Sequence, residues 1–248
     1  MYNYRIAVQY DGGRYDGWQR LGRDASDNTI EFRIKEILKK LTGEETEIFC
    51  GCRTEKGVHA YGQVANFKLN SRQNCAELKN YLNRYLPRDI GVNQVEEVDE
   101  RFHSRLNAKS KTYIYRIDTG NVANVFDRKY SYHTFYKLNY DAMNQAAEYF
   151  LGKHDFKAFT TAKKSKSTEK EIMELSIELK DNAICEIKII ANDFLHNMAR
   201  FMIGMLLDVG NGLKKPENVR DILDGKEVQM SLPAESYGLF LYDVCYEK

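Results

Sequence analysis

The chain has 248 residues, of which 43% are hydrophobic and 29% charged, with 37 Lys and Arg against 36 Asp and Glu. Near-balanced charge excludes a basic tail or an acidic disordered chain, so a nucleic-acid partner has to be held by clustered charge. No apolar run is long enough to span a bilayer, and Met1 to Arg5 is polar and already alternating, so neither a membrane span nor a signal peptide is expected.

Tyr2, Tyr4, Ile6, Val8 and Tyr10 alternate and predict a first strand, closed by a turn at Asp11-Gly12-Gly13. Thr29 is placed to cap a helix through Ile30, Ile34, Ile37, Leu38 and Leu41, with Gly43 as its stop. A strand over 46–52 is expected to run into a polar loop, Arg53 to Gly57, and Val64 to Leu69 reads as the next strand. Leu78, Leu82, Tyr85 and Leu86 predict a helix ending at Pro87, followed by a strand over 90–98. Beyond these come predicted strands over 111–119 and 131–136, a helix over 141–151, and a hairpin of 172–180 with 183–192. A long helix over 194–209, a short one opened by Pro216, and a last strand over 237–246 complete the series.

Hairpins mixed with helices, without strict alternation, predict an α+β chain with mainly antiparallel sheets. The expected division is 1–101 and 102–248. The five cysteines, Cys50, Cys52, Cys75, Cys185 and Cys245, are odd in number and form no C-x-x-C. They are expected to be small buried hydrophobes rather than metal ligands, in a cytoplasmic protein.

Four segments could carry chemistry. Gly51 to Ala60 packs Arg53, Glu55, Lys56 and His59 into a strand-to-loop junction, the kind of place where reactive groups sit, though a solvated turn has the same composition. Lys109-Ser110-Lys111-Thr112-Tyr113-Ile114-Tyr115-Arg116 interleaves cations with rings, which suits phosphates and bases and equally suits a strand with tyrosines in the core. Arg200, four residues after His196 on the expected long helix, borders a broad apolar surface where its charge needs an anionic partner. Lys163-Lys164-Ser165-Lys166 is a basic loop able to clamp phosphate or simply to be solvated.

Taken together, these segments resemble the tRNA pseudouridine synthase A family. The run Arg53-Thr54-Glu55-Lys56-Gly57-Val58-His59, followed by Gly62-Gln63-Val64, is similar to its catalytic motif. Collinear matches are Tyr10-Asp11-Gly12 with Tyr15, Gly17 and Trp18; Leu86-Pro87 with Asp89-Ile90; Phe102 with Arg105, Tyr113 and Tyr115; and Phe194, Met198, Arg200 and Gly204. The resemblance implies two pseudo-symmetric halves meeting at a central basic cleft. It also implies a homodimer acting on uridines of the tRNA anticodon stem-loop without metal or cofactor.

By the same resemblance Glu55 stands at the catalytic aspartate and Arg53 at the arginine that helps displace the target base. Tyr113 then matches the tyrosine that stacks on that base, and Arg200 the arginine that pairs with the carboxylate. Lys56, His59, Gln63, Lys109, Lys111, Lys163, Lys164 and Lys166 are the expected substrate contacts. The chain departs from the family at Glu55 in place of aspartate, at Cys52 before the arginine, at Lys56, and at Glu31. Glutamate moves the carboxylate by roughly 1 Å, and a displacement of that order can cost about 10²-fold in rate. The second reading is therefore a protein on the same fold that binds tRNA without isomerising it; a small-molecule enzyme using Glu55 and His59 as acid and base is a third.

Overall fold

A computed structural model describes residues 1–19, 26–162, 167–180 and 183–247. Contacts divide the chain into two units, Met1–Lys109 with Phe240–Lys248, and Ser110–Leu239.

In the first unit, β1 (Tyr2–Tyr10) lies between β4 (Ile90–Val98) and β3 (His59–Leu69), antiparallel to both. The other edge of β3 is shared. β2 (Ile48–Cys50) runs antiparallel to its end, and β10 (Leu239–Tyr246) runs parallel to its start, with Phe240 opposite His59. Alternation sends Tyr4, Ile6 and Val8 of β1 and Ala65, Phe67 and Leu69 of β3 into the core, all fully buried. Ile30, Ile34 and Leu38 of α1 (Ile30–Thr42) and Leu82 of α2 (Cys75–Tyr85) are fully buried too. Burial of that kind contributes about 1.5–3 kcal/mol per large side chain. Thr29 Oγ1 accepts from Phe32 N, and Gly43 ends α1 in the left-handed region at φ 74°, both as the sequence predicts.

In the second unit, β5 (Ala108–Asp118), β9 (Ile184–Ala191), β8 (Glu169–Leu179) and β7 (Gly152–Asp155) form an antiparallel series. The two-residue β6 (Tyr132–His133) lies parallel to the end of β5. α3 (Tyr140–Glu148) packs with α4 (Met198–Gly210), and α5 (Glu217–Leu223) starts after Pro216. Tyr115, Ile187 and Ile189 from the strands and Met202, Ile203 and Leu206 from α4 are fully buried.

The architecture is α+β with mainly antiparallel pairing. Several boundaries differ from expectation. The contact division falls after Lys109 rather than after residue 101, and β10 belongs with the first unit. The cause is a set of long-range polar bonds. The Asn3 carboxamide donates to the carbonyls of Asp99 and Phe102, Ser104 N donates to Asn66 Oδ1, and Tyr246 OH donates to Ser104 O at 2.7 Å. Those bonds keep 99–104 and the C-terminal strand on the first sheet. The strand expected over 131–136 shrinks to Tyr132–His133. β7 has no alternating apolar pattern to announce it. α4 starts at Met198, four residues later than predicted, so His196 and Arg200 do not share a helix face. Cys50, Cys52 and Cys185 are buried as expected, whereas Cys245 is exposed. Among the described residues no helix is long and apolar enough to cross a membrane.

Candidate active site

The Arg53–Gly57 loop joins β2 to β3, and three elements of its own unit fix its backbone. From β3, Gln63 is fully buried, and its carboxamide binds both sides of Cys52, accepting from Cys52 N at 3.3 Å and donating to Cys52 O at 2.6 Å. From β1, the buried Tyr10 hydroxyl shares a 2.7 Å hydrogen bond with Thr54 Oγ1. Burial pushes the Tyr10 phenol well up, so it stays a neutral hydrogen-bonding group. From the turn after β1, Trp18 N donates to Thr54 O at 3.0 Å and Gly57 N donates to Tyr15 O.

Two glycines make that approach possible. A Cβ on Gly17, at φ 97°, would stand 2.7 Å from Thr54 O, and one on Gly12 would stand 1.9 Å from Val58 O. Only glycine lets the turn lie this close to the loop. The turn is anchored in its own right. Tyr15 OH donates to Asp89 Oδ1 at 2.7 Å, and Arg14 binds the same carboxylate. Burial, followed by the Asp89 carboxylate, pushes the Tyr15 phenol up to about 12.

On this frame Arg53 and Lys56 are exposed and Glu55 is half-buried between them. Lys56 Nζ lies 2.8 Å from Asp16 Oδ1. The Lys56 bond, helped by Ser26, holds the Asp16 carboxyl below its ordinary range. His59 is 1% exposed, with Nδ1 accepting from Gly12 N at 3.0 Å and its ring stacked on Phe240 at 4.9 Å. His59 and Gln63, expected as substrate contacts, are instead buried supports of the loop.

The second unit carries the other expected groups. Tyr113 on β5 is 3% exposed and meets Phe194 edge to face, ring centres 4.9 Å apart. Arg200, on the first turn of α4, is half-buried. Its Nε donates to Ala234 O at 2.7 Å and its Nη1 to Asn197 Oδ1 at 3.2 Å. Gly204, one turn on, lets the 232–234 backbone pass at contact distance, since a Cβ there would lie 2.0 Å from Leu232 O. Lys111 was expected at the surface but is 3% exposed and ion-paired with Asp193, because it stands beside Thr112 and Tyr113 on the buried part of β5. Lys109 remains exposed, 2.7 Å from Glu247, a pair worth at most about 1 kcal/mol that a phosphate can displace. Lys163, Lys164 and Lys166 lie outside the described residues.

The family resemblance singled out Arg53, Glu55, Tyr113 and Arg200 and gave no role to Tyr10, Thr54, Asp16, Asn197 or Thr161. The signal available for the first group was the pair of glycines at 12 and 17, which mark a backbone in close contact with something. Among the described residues no group of three or more His, Cys, Asp or Glu side chains is placed to hold a metal ion.

Comparison with known proteins adds the following. The family described as "tRNA pseudouridine synthase" matches residues 6–107 and 146–247. A relative from Bacillus sp. (strain KSM-64), "tRNA pseudouridine synthase A", is 46% identical over 247 residues, covering 99% of this chain and 100% of that one. "tRNA pseudouridine synthase A 2" of Bacillus cereus (strain ATCC 10987 / NRS 248) is 44% identical, covering 98% of this chain and 99% of its own length. Among solved structures, a chain of a Cbf5-Nop10-Gar1 complex matches 82% of this chain and 54% of its own length at 11% identity, with a TM-score of 0.34.

Proposed function

The chain belongs to the tRNA pseudouridine synthase family, and we propose that it converts uridine to pseudouridine in tRNA with Glu55 as the reacting carboxylate. The observation that carries the assignment is the Arg53–Gly57 loop, in which Gln63, Tyr10 and the 15–18 turn fix the backbone on either side of Glu55. A reacting group needs its position set within a fraction of an ångström before substrate arrives.

The target uridine leaves its stack before its glycosidic carbon can be reached. Exposed Arg53 helps to displace the base and takes its place. The Glu55 carboxylate adds to the sugar or stabilises its positive charge while the N1–C1′ bond breaks. The released base turns and forms the C5–C1′ bond, and the hydrogen on C5 leaves as a proton. N1 gains a proton, so the reaction is an isomerisation. The Tyr113 ring packs on the loosened base, as the family resemblance implies. Arg200 keeps the carboxylate ionised and aimed. Lys56 and Lys109 meet phosphates, as do the lysines at 163, 164 and 166. Anticodon stem-loop uridines as targets, a homodimer as the working state and the cytoplasm as the site of action belong to the same reading, supported by the family resemblance.

The test is pseudouridine content in tRNA taken from a strain lacking the protein and treated with the pure enzyme. Wild type is expected to form pseudouridine, Glu55→Asp to retain activity and Glu55→Gln to have none. No product from wild type and Glu55→Asp alike eliminates the proposal. Product from Glu55→Asp alone assigns the natural chain to tRNA binding without isomerisation.

A further inference from the structure

Asn197 occupies the N-cap of α4 but does not behave as an N-cap residue. An asparagine there usually has extended backbone and turns its side-chain oxygen back to the helix N–H groups. Asn197 sits instead in the left-handed region, at φ 61° and ψ 5°, and its side chain makes no capping bond. Outside glycine that conformation is uncommon, and asparagine is among the residues that adopt it most readily. Its carboxamide is committed at both ends. Oδ1 accepts from Arg200 Nη1 at 3.2 Å, and Nδ2 donates to Thr161 Oγ1 at 3.0 Å. The Thr161 hydroxyl is fixed in turn by a 2.6 Å bond with His196 Nδ1, and Thr160 Oγ1 donates to His196 O at 2.8 Å. On the far side, Arg200 Nε is bound to Ala234 O, while Ala234 N donates back to Arg200 O at 2.9 Å. Two of the three guanidinium nitrogens are therefore held by neutral oxygens, and the plane of the group is set.

We propose that Asn197, braced by Thr161, is a positioning residue for Arg200, fixing the plane of its guanidinium without neutralising it. The proposal rests on the reading of Arg200 given above. The chemical identity of the brace matters. A carboxylate at 197 would hold the guanidinium equally well but would compete with Glu55 for its charge. A carboxamide supplies the same acceptor with no charge. The left-handed backbone aims that acceptor at residue 200 instead of at the start of the helix.

Asn197→Gly separates the two contributions, because glycine adopts the left-handed backbone readily and lacks only the carboxamide. The readouts are melting temperature, tRNA affinity and the single-turnover rate at saturating tRNA. The expected result is an unchanged or higher melting temperature, affinity within about twofold, and a rate lowered about tenfold. Thr161→Val is expected to lower the rate less, and Asn197→Asp to lower it while preserving the fold. In an Arg200→Lys background, Asn197→Gly should cost almost nothing more, since the group it positions is gone. A full-speed Asn197→Gly beside a slow Arg200→Ala overturns this inference alone, as does an equal loss from Asn197→Gly in both backgrounds. An Arg200→Ala variant as fast as wild type overturns the reading of Arg200, and this inference with it.

Discussion

Lys56 follows Glu55, the proposed reacting carboxylate, in the chain, and its ammonium lies 2.8 Å from a different acid, Asp16. The proposed role of Glu55 gives this pair a consequence, because Asp16 offers the ammonium an acid other than its neighbour in the chain. Asp16→Asn is expected to lower the single-turnover rate several-fold at low salt, and Lys56→Ala added to it should restore most of the loss. An Asp16→Asn rate equal to wild type would show that Lys56 has no such pull. The same pair predicts a pH dependence of stability. The Asp16 carboxyl is held below its ordinary value of 3.8, first by its Lys56 bond, so its contribution is present above that value. It is lost as pH falls through the lower folded value. The difference in melting temperature between wild type and Asp16→Asn should therefore be visible at pH 7 and shrink steadily below pH 3.8, the ordinary value. A difference that grew on acidification would contradict the assignment.

Among elements, the turn between β1 and α1 controls the loop more than its own composition suggests. Gly17→Ala forces a side chain into the left-handed region, at a cost of about 1–2 kcal/mol, and drives its Cβ toward Thr54 O. The loop must give way, and a shift near 1 Å at Glu55 is expected to cost about 10²-fold in rate with a small change in melting temperature. Full activity in Gly17→Ala would mean that the turn does not set the loop. Tyr10→Phe removes the hydroxyl bonded to Thr54 and should destabilise the protein by about 1–3 kcal/mol, read by urea unfolding. The strands and helices with strong periodicity were legible in the sequence: alternating β1, and α1 with its threonine cap and glycine stop. What escaped was set by distant partners. Charge suggested Lys111 as a substrate contact, but it is buried and paired with Asp193. Helical spacing across 194–209 hid the left-handed residue that delays α4 to Met198. His59 and Gln63 stood in the motif as reactive-looking side chains, and only the packed structure shows them supporting Gly12 and Cys52. Glu55, Arg53, Tyr113 and Arg200 are proposed from motif order along the chain, whereas the hydrogen bonds around Cys52, Thr54 and Arg200 do not show in a one-dimensional pattern.

At the scale of the whole molecule, a chain whose charges nearly cancel has to hold RNA through local clusters. Replacing Lys163, Lys164 and Lys166 by alanine is expected to weaken tRNA binding and flatten its salt dependence by about 0.7–0.9 in log–log slope per lost contact, with the rate at saturation unchanged. An unaltered slope would remove that segment from the RNA surface. The isomerase reading has a chemical core: the base rejoins through C5, so the C5 hydrogen must be released. The most direct measurement is therefore tritium release from tRNA carrying 5-tritiated uridine, in a single turnover with wild type and with Glu55→Gln at equal tRNA occupancy. Release by wild type and none by Glu55→Gln is the predicted result. Equal release by both, or tight binding with no release by wild type, would contradict it.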